Sequence, residues 1–436
     1  MPAVRESRLA GGIREAGQPP AAAGGGRGID LMAFDEERTR GASGGDVRLR
    51  GFGDLVAFGE ALEWVARHGS PLDVEEVDVA EAVGRVLAAP LHATADLPPF
   101  DRVSDDGYAV CSGETIGAGT YNPLLLELRE APGLSPGGAI LVAAGMPLPR
   151  GADAVMPFGE AQANGRALEV LGSVAEGVGI EQRGVQLRSG ATLAPVGRAL
   201  RPQDLAVLAS LGVERVSVVR RPGVKLVIAA AKGDARCPPP DANGPMLRAL
   251  VERDGGIALP AGTEGDHRAA IREAMAAQGG DLLLAVGRTG TGPDDEASLA
   301  LAGAGQLDVH GIAVRPGGSA GMGRAGELPV ILLPGDPLAC LCAYELFAGA
   351  MIRRMGGRDP RLPHAALEAE VSRKIVSTIG FTEVCQVRLV DGRVEPTGSP
   401  GSGGIASALR ADGFVVVPAP LEGYAPGARV LVHLHS

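Results

Sequence analysis

The sequence predicts a multi-domain α/β protein: a three-layer α/β domain between a β-rich N-terminal subdomain and a small C-terminal β-barrel-like domain. Three observations predict it. A chain of 436 residues is too long for one ordinary core and divides into several. Apolar runs alternate with helical periodicity between residues 222 and 360, which implies a parallel sheet with right-handed crossovers and helices on its faces. On either side, short runs of alternating polarity are punctuated by Gly and Pro.

In chain order, residues 1–50 mix Arg, Glu, Gly and Pro without periodicity and are expected to form a disordered tail. Order is expected from Asp54. Leu55, Phe58, Ala61, Leu62, Val65 and Ala66 recur at helical spacing up to Gly69, and a short helix is expected over Val79–Leu87. These belong to an N-terminal region spanning 51–221, with a β-rich insertion at about 97–195. Pro202–Leu211 reads as a helix stopped by Gly212, and Val213–Val219 as a strand.

The α/β domain is expected over 222–360. Val224–Ala231, Asp281–Val286 and Val330–Leu333 are apolar runs of the kind found in fully buried strands. Ile257–Leu259 and Gly311–Val314 are shorter strands. Helices are expected at Pro245–Arg253, His267–Gln278, Asp295–Leu301 and Leu338–Met355. Pro360–Pro363 marks a linker to a C-terminal β domain over 364–436.

The bulk numbers exclude several functions. A net charge of −11 argues against a general nucleic-acid binder. No apolar run is long enough to cross a bilayer, and the N-terminus lacks the apolar core of a signal peptide. Five cysteines without a Cys-x-x-Cys pair argue against a disulfide framework or structural zinc, and fit a reducing cytoplasm. Cys340 and Cys342 read as small buried apolar residues. His92, His267 and His310 have no ligand spacing, and Ser104 has no neighbouring His or Lys to activate it.

Three expected strands end in polar turns: Gly233-Asp234, Gly287-Arg288-Thr289-Gly290-Thr291-Gly292, and Gly335-Asp336. These lie at the carboxyl edge of the sheet, where open α/β sheets bind ligands. Glycines let main-chain N–H groups approach a phosphate; Thr289 and Thr291 add hydroxyls, and Arg288 a bidentate cation. Asp234, Asp295 and Asp336 would face that anion, an arrangement that Mg²⁺ makes favourable by bridging carboxylate to phosphate oxygens. The competing reading is that each Asp caps a following helix. It is even for Asp336 and weaker for Asp234. Arg315 closes another strand and either neutralises an oxyanion or is a surface residue.

Leu97-Pro-Pro-Phe-Asp101 and Asp106-Gly-Tyr-Ala-Val110 resemble the Leu-Pro-Pro-Phe-Asp-Asn-Ser-Ala-Met-Asp-Gly-Tyr-Ala-Val signature of the molybdopterin molybdenumtransferases (MoeA type, with the gephyrin E domain). Val79-Ala-Glu-Ala-Val-Gly-Arg-Val-Leu87, Gly151-Ala-Asp-Ala-Val155, Leu208-Ala-Ser-Leu-Gly212 and Leu333-Pro-Gly-Asp-Pro337 also look like that family, in family order over about 54–436. The resemblance implies a four-domain subunit, usually homodimeric. It implies a Mg²⁺-dependent insertion of molybdate into adenylylated molybdopterin, with release of AMP.

Carried over by position, the resemblance assigns catalysis to Asp106, Asp234, Asp295 and Arg315, with Asp106, Asp234 and Asp295 holding Mg²⁺. It assigns cofactor binding to Gly287–Gly292, Asp241, Asp336 and Ser402. Departures fall on ligand-facing positions: Arg102-Val-Ser-Asp105 for Asn-Ser-Ala-Met, Val185-Gln186 for Glu-Asp, and Arg315-Pro-Gly-Gly318 for Lys-Pro-Gly-Lys. Ala144 stands for a Thr, Val286 for the first Ser of the glycine loop, and Asp336 for an Asn. The alternative implied by these losses is a non-catalytic molybdopterin carrier or chaperone serving a molybdoenzyme apoprotein.

Overall fold

The computed structural model describes residues 46–229, 240–260, 267–277, 279–398 and 404–435. The candidate site is carried by a six-stranded mixed sheet. Its order is Ile257–Pro260, Gly223–Ile228, Leu282–Val286, Leu328–Leu333, Gly321–Ala325 and Gln306–His310. The first four strands are parallel, and Gly321–Ala325 runs antiparallel to both of its neighbours, Leu328–Leu333 and Gln306–His310. The expected parallel sheet spans four strands and is extended by an antiparallel edge. Gly321 and Gly323 break the apolar run of their strand, and the Gly326 turn returns it directly into Leu328–Leu333.

Both faces of the central strands are buried. Leu226, Leu284 and Ile331 point into one core, shared with Leu247, Val251 and Phe347. Val227, Leu283 and Leu332 point into the other, shared with Ile271 and Leu301. This two-sided burial explains why these strands read as continuous apolar runs. Lys225 is the exception. Its 5% exposed side chain donates to the carbonyls of Ala274 and Ala277 at 3.0 and 2.6 Å, at the carboxyl end of helix His267–Ala276. A cation there satisfies orphan carbonyls and opposes the helix dipole.

Helix Phe58–His68 packs on the α/β domain through Ala61, Trp64 and Val65. The expected helix over Val79–Leu87 is a single 3₁₀ turn, Val79–Glu81. Val86 and Leu87 instead make bridges to Ala199 and Val218, around Gly84 at φ 73°. Strands Val74–Asp78 and Arg215–Val219 pair antiparallel, and helix Pro202–Ser210 packs beside them. The β-rich subdomain is a curled six-stranded sheet: Ala154–Pro157, Gly107–Val110, Gly138–Val142, Leu124–Leu128, Ala167–Val170 and Ala161–Asn164.

The C-terminal domain closes on itself. Thr382–Val390 pairs with Arg393–Pro396, which pairs with Ala366–Val371, then Arg429–Leu434, then Gly413–Val417, which returns to Thr382–Val390. Closure removes the free edges of the sheet. The long C-terminal helix of the α/β domain is continuous from Pro337 to Met355, with a π segment at Tyr344–Ala348. Cys340 and Cys342 on it are 0% and 1% exposed, and burial pushes the Cys340 thiol up to about 12.

That π segment anchors a buried ionic junction. Asp254 accepts from Arg353 Nη1 at 2.8 Å and Tyr344 Oη at 3.0 Å. Glu345 accepts from Arg253 at 2.6 and 2.9 Å and lies 3.1 Å from His364, which directly follows the linker. Despite burial, hydrogen bonds from His364 and Arg253 hold Glu345 down at about 2. Nearby, burial pulls His433 down to about 4, with His364 adding to the effect.

Both shifts act in one direction. Depressed folded-state values give stability that is present above the unfolded values and lost as pH falls through the folded ones. Thermal stability is therefore expected to fall from pH 6.5 toward 4 as His433 protonates, and again from 4.5 toward 2 as Glu345 protonates. Melting curves should show His433→Gln flattening the first interval. Glu345→Ala leaves Arg253 with Asp254 as its remaining carboxylate partner and should cost about 2 kcal/mol in denaturant titration at pH 7.

Candidate functional site at the carboxyl edge of the sheet

Three strand ends meet at the carboxyl edge. Gly287 follows Leu282–Val286 with φ 89°, and its N–H donates to Leu333 O at 2.8 Å. A Cβ on Gly287 would lie 3.0 Å from Ala229 Cβ and 3.8 Å from Gly335 Cα. A Cβ on Gly335 would lie 3.3 Å from Gly287 Cα. The corners after the first, second and last parallel strands are thus in van der Waals contact, and a β-carbon on Gly287 would crowd Ala229.

The glycine loop is held from several sides. Asp295 turns back on it and accepts from Gly292 N at 2.7 Å. Thr289 is 2% exposed and its hydroxyl lies 3.1 Å from Ser319 Oγ. The Thr289 carbonyl lies 2.9 Å from His310 Nε2, and burial lowers that imidazole, keeping it neutral. Arg288 takes φ 53°, the left-handed region, and its buried Nε finds no acceptor among the described residues. Such a conformation costs about 1–3 kcal/mol in a non-glycine residue.

Asp241 and Asn243 join the site from the start of helix Asn243–Arg253. Asp241 Oδ1 accepts from Asn243 N and Gly244 N at 3.0 and 2.9 Å, which caps the helix. Asn243 Nδ2 donates to Gly335 O at 3.0 Å, tying this helix to the last corner. Its Oδ1 is buried without a partner among the described residues. Asp336 accepts from Ala339 N at 2.9 Å, so it takes the capping role that was left even.

The remaining assigned residues stand differently. Asp106 is exposed, and its described hydrogen bond, from Ala144 N at 2.8 Å, stays within the β-rich subdomain. Arg315 is exposed and turned to the C-terminal domain, with its guanidinium 3.8 Å from the Phe381 ring centroid and 3.1 Å from Thr378 Oγ1. The loop it opens reaches the glycine loop at Ser319. A Cβ on Gly318 would lie 2.9 Å from Val314 O. Asp234 and Ser402 lie outside the described residues. Among the described residues no group of three or more His, Cys, Asp or Glu could hold a metal ion.

Several contributors escaped the sequence reading. His310 sits on a strand with no ligand spacing, yet it fixes the Thr289 carbonyl. Ser319 carried no signal. Asn243, two residues beyond Asp241, was given no role. Residues 46–50, expected in the disordered tail, instead form a turn over the loop: Leu49 N donates to Thr291 O at 2.8 Å, and Arg48 reaches Pro293 O at 3.3 Å and Glu296 at 3.5 Å. Phe52 meets the His310 ring edge-on at 5.1 Å.

Comparison with known proteins identifies the family. The family model of the MoeA N-terminal region (domain I and II) matches residues 56–212. The probable molybdopterin binding domain matches 223–354, and the MoeA C-terminal region (domain IV) matches 368–435. The chain is 28% identical to molybdopterin molybdenumtransferase of Bacillus subtilis over 412 residues, covering 87% of this chain and 94% of that one. It is 28% identical to molybdopterin molybdenumtransferase 2 of Mycobacterium tuberculosis over 386 residues, covering 82% and 94%. The crystal structure of a molybdopterin biosynthesis MoeA protein from Pyrococcus horikoshii superposes with a TM-score of 0.70 at 28% identity, covering 87% and 99%. The chain belongs to the MoeA family of molybdopterin molybdenumtransferases. No helix among the described residues is long and apolar enough to cross a membrane.

Leu49→Pro removes the N–H that Thr291 O accepts and cannot take the observed φ of 58°. Hydrogen exchange at the Asp295 and Ala297 amides should rise at least about tenfold, that is, by about 1.4 kcal/mol of local opening, with little change in global melting.

Proposed function

We propose that the chain is a molybdopterin molybdenumtransferase that inserts molybdate into adenylylated molybdopterin and releases AMP. The observation that carries this reading is the convergence of Ala229, Gly287–Gly292 and Gly335 at one carboxyl edge, roofed by Asp295 and Arg288. A glycine-rich corner that a ligand can approach closely, and a guanidinium without a carboxylate partner among the described residues, suit a phosphate-bearing ligand.

Each residue then has a role. Gly287–Gly292 approaches the phosphates. Arg288 carries a strained backbone that places its guanidinium at the loop, where it offsets anionic charge. Asn243 and Asp336 hold the last corner in place, and Asp241 fixes the helix beside the first. Arg315, on the loop that ends at Ser319, steers the molybdate oxyanion. Thr291 adds a hydroxyl and Ser402 a polar contact from the C-terminal domain.

Mg²⁺, when bound, offsets phosphate charge and polarises the bond that breaks. Such sites commonly use one or two carboxylates with substrate oxygens and water. Asp295 offers one carboxylate at the loop, its Oδ2 already taken by Gly292 N. Asp234 is the candidate second ligand. Asp106 would contribute from a second copy of the chain in a homodimer, since its hydrogen bond within the subunit is local. A cytoplasmic setting fits this chemistry.

A second reading is a carrier that binds molybdopterin for a molybdoenzyme apoprotein without transferring metal. It is favoured by Gly318, where the packing of Val314 O against the backbone leaves no room for the lysine that the family places there.

Purified protein supplied with adenylylated molybdopterin, Mg²⁺ and molybdate should release AMP. Asp295→Ala should lower the rate about 100-fold or more, a loss of about 3 kcal/mol in transition-state stabilisation. Arg288→Gly should weaken substrate binding while leaving stability unchanged or raised, since glycine relieves the positive φ. Saturable pterin binding with no AMP at any enzyme concentration would replace the enzyme by the carrier.

A further inference from the structure

The opposite edge of the same sheet carries a second cavity. It holds about 700 Å³ and lies between the N-terminal region and the amino ends of the parallel strands, beside Gly223, Ile257 and Asp281. Ligand pockets run to roughly 300–1,000 Å³ and favour such domain junctions.

Four arginines line it, and they differ in what they meet. Arg220 is paired bidentately with Asp281 at 2.9 and 2.7 Å, and Arg85 is paired with Glu75. Arg221 and Arg358 meet only main-chain carbonyls among the described residues. Arg221 donates to Gly255 O at 3.0 Å and Gly256 O at 2.5 Å. Arg358 donates to Arg253 O at 3.1 Å and Gly84 O at 2.7 Å. Both glycines that flank Arg358 have positive φ, and a Cβ on Gly255 would lie 2.7 Å from its Cζ. The backbone is thus shaped around a guanidinium that makes no direct ion pair among the described residues. Burial lowers Arg358, with Asp254 opposing and Arg221 and Arg353 reinforcing the shift. Arg85 Nε is also buried without an acceptor.

Apolar side chains form one part of the wall. Val83 and Ile257 are 52% and 44% exposed there, and Leu259 stands beside them. Glu81 and Glu252 are exposed lining residues that make no ion pair among the described residues. Two arginines without an ion pair, an apolar patch and two acidic residues, Glu81 and Glu252, beyond the paired Glu75 and Asp281 select against polyanions and for a compact amphipathic acid.

We propose that this cavity binds a small organic anion, a carboxylate or phosphate monoester on an apolar body, through Arg221 and Arg358. The site is separate from the carboxyl-edge site and stands whether or not the transferase reading holds. Occupation would tie Gly84 of the N-terminal region to Gly255 of the α/β domain through the shared guanidiniums.

The test uses the full chain with phenyl phosphate and benzoate as separate probes at fixed ionic strength, and benzyl alcohol as the neutral control. Calorimetry should give saturable binding for one or both anions and none for the alcohol. Binding to a single anion assigns the acid. Hydrogen exchange should slow in segments 79–86 and 253–259. Arg221→Gln and Arg358→Gln should each weaken binding at least about tenfold, about 1.4 kcal/mol. Glu252→Gln should tighten it and is not expected to disturb folding. The proposal is overturned by absent saturable binding, by protection confined to 287–296, or by affinities unchanged in Arg221→Gln and Glu252→Gln.

Discussion

The contact between Gly287 and Gly335, each the first bend beyond a buried parallel strand, is the constraint on which the candidate site depends. Parallel strands place their carboxyl ends side by side, but side chains normally hold the following turns apart. Here a Cβ on Gly335 would stand 3.3 Å from Gly287 Cα, and one on Gly287 would stand 3.0 Å from Ala229 Cβ. Close approach of bare backbone lets residues distant in sequence act on one ligand. Asn243 reinforces the contact by bonding Gly335 O, and Asp295 shapes the loop by bonding Gly292 N.

A second constraint keeps this edge in register with the other domains. Asp254 and Glu345 gather Arg253, Arg353, Tyr344 and His364 into one buried network. Such a network contributes little net stability over an apolar replacement, but breaking it leaves buried charge exposed to no partner. Its value lies in fixing where the linker leaves the α/β domain, and so where the C-terminal barrel stands relative to Arg315.

Much of the fold was legible in the residues. Two-sided burial left apolar runs at 282–286 and 330–333, and at 224–228 with Lys225 as the one interruption, and turn glycines such as Gly287 marked their ends. The antiparallel strand Gly321–Ala325 was not legible, because its glycines hide the pattern and a neighbouring strand supplies the apolar surface. The helix expected at Val79–Leu87 failed because tertiary bridges from Val86 and Leu87 outweighed local periodicity. At the site, the glycine loop and Asp295 were readable as a pattern of small and acidic residues. His310, Ser319 and Leu49 were not, because they act through main-chain or hydroxyl contacts that leave no trace in residue type. Asp336 shows the limit of an acidic residue as a signal: helix capping and ligand binding ask for the same side chain at the same place.

The central claim is that these corners form one anion-binding surface. Amide exchange of the full chain with and without AMP measures it most directly. Simultaneous slowing in segments 240–246, 286–296 and 334–340 is the predicted footprint. Protection of only one of them, or of none while AMP binds elsewhere, contradicts it.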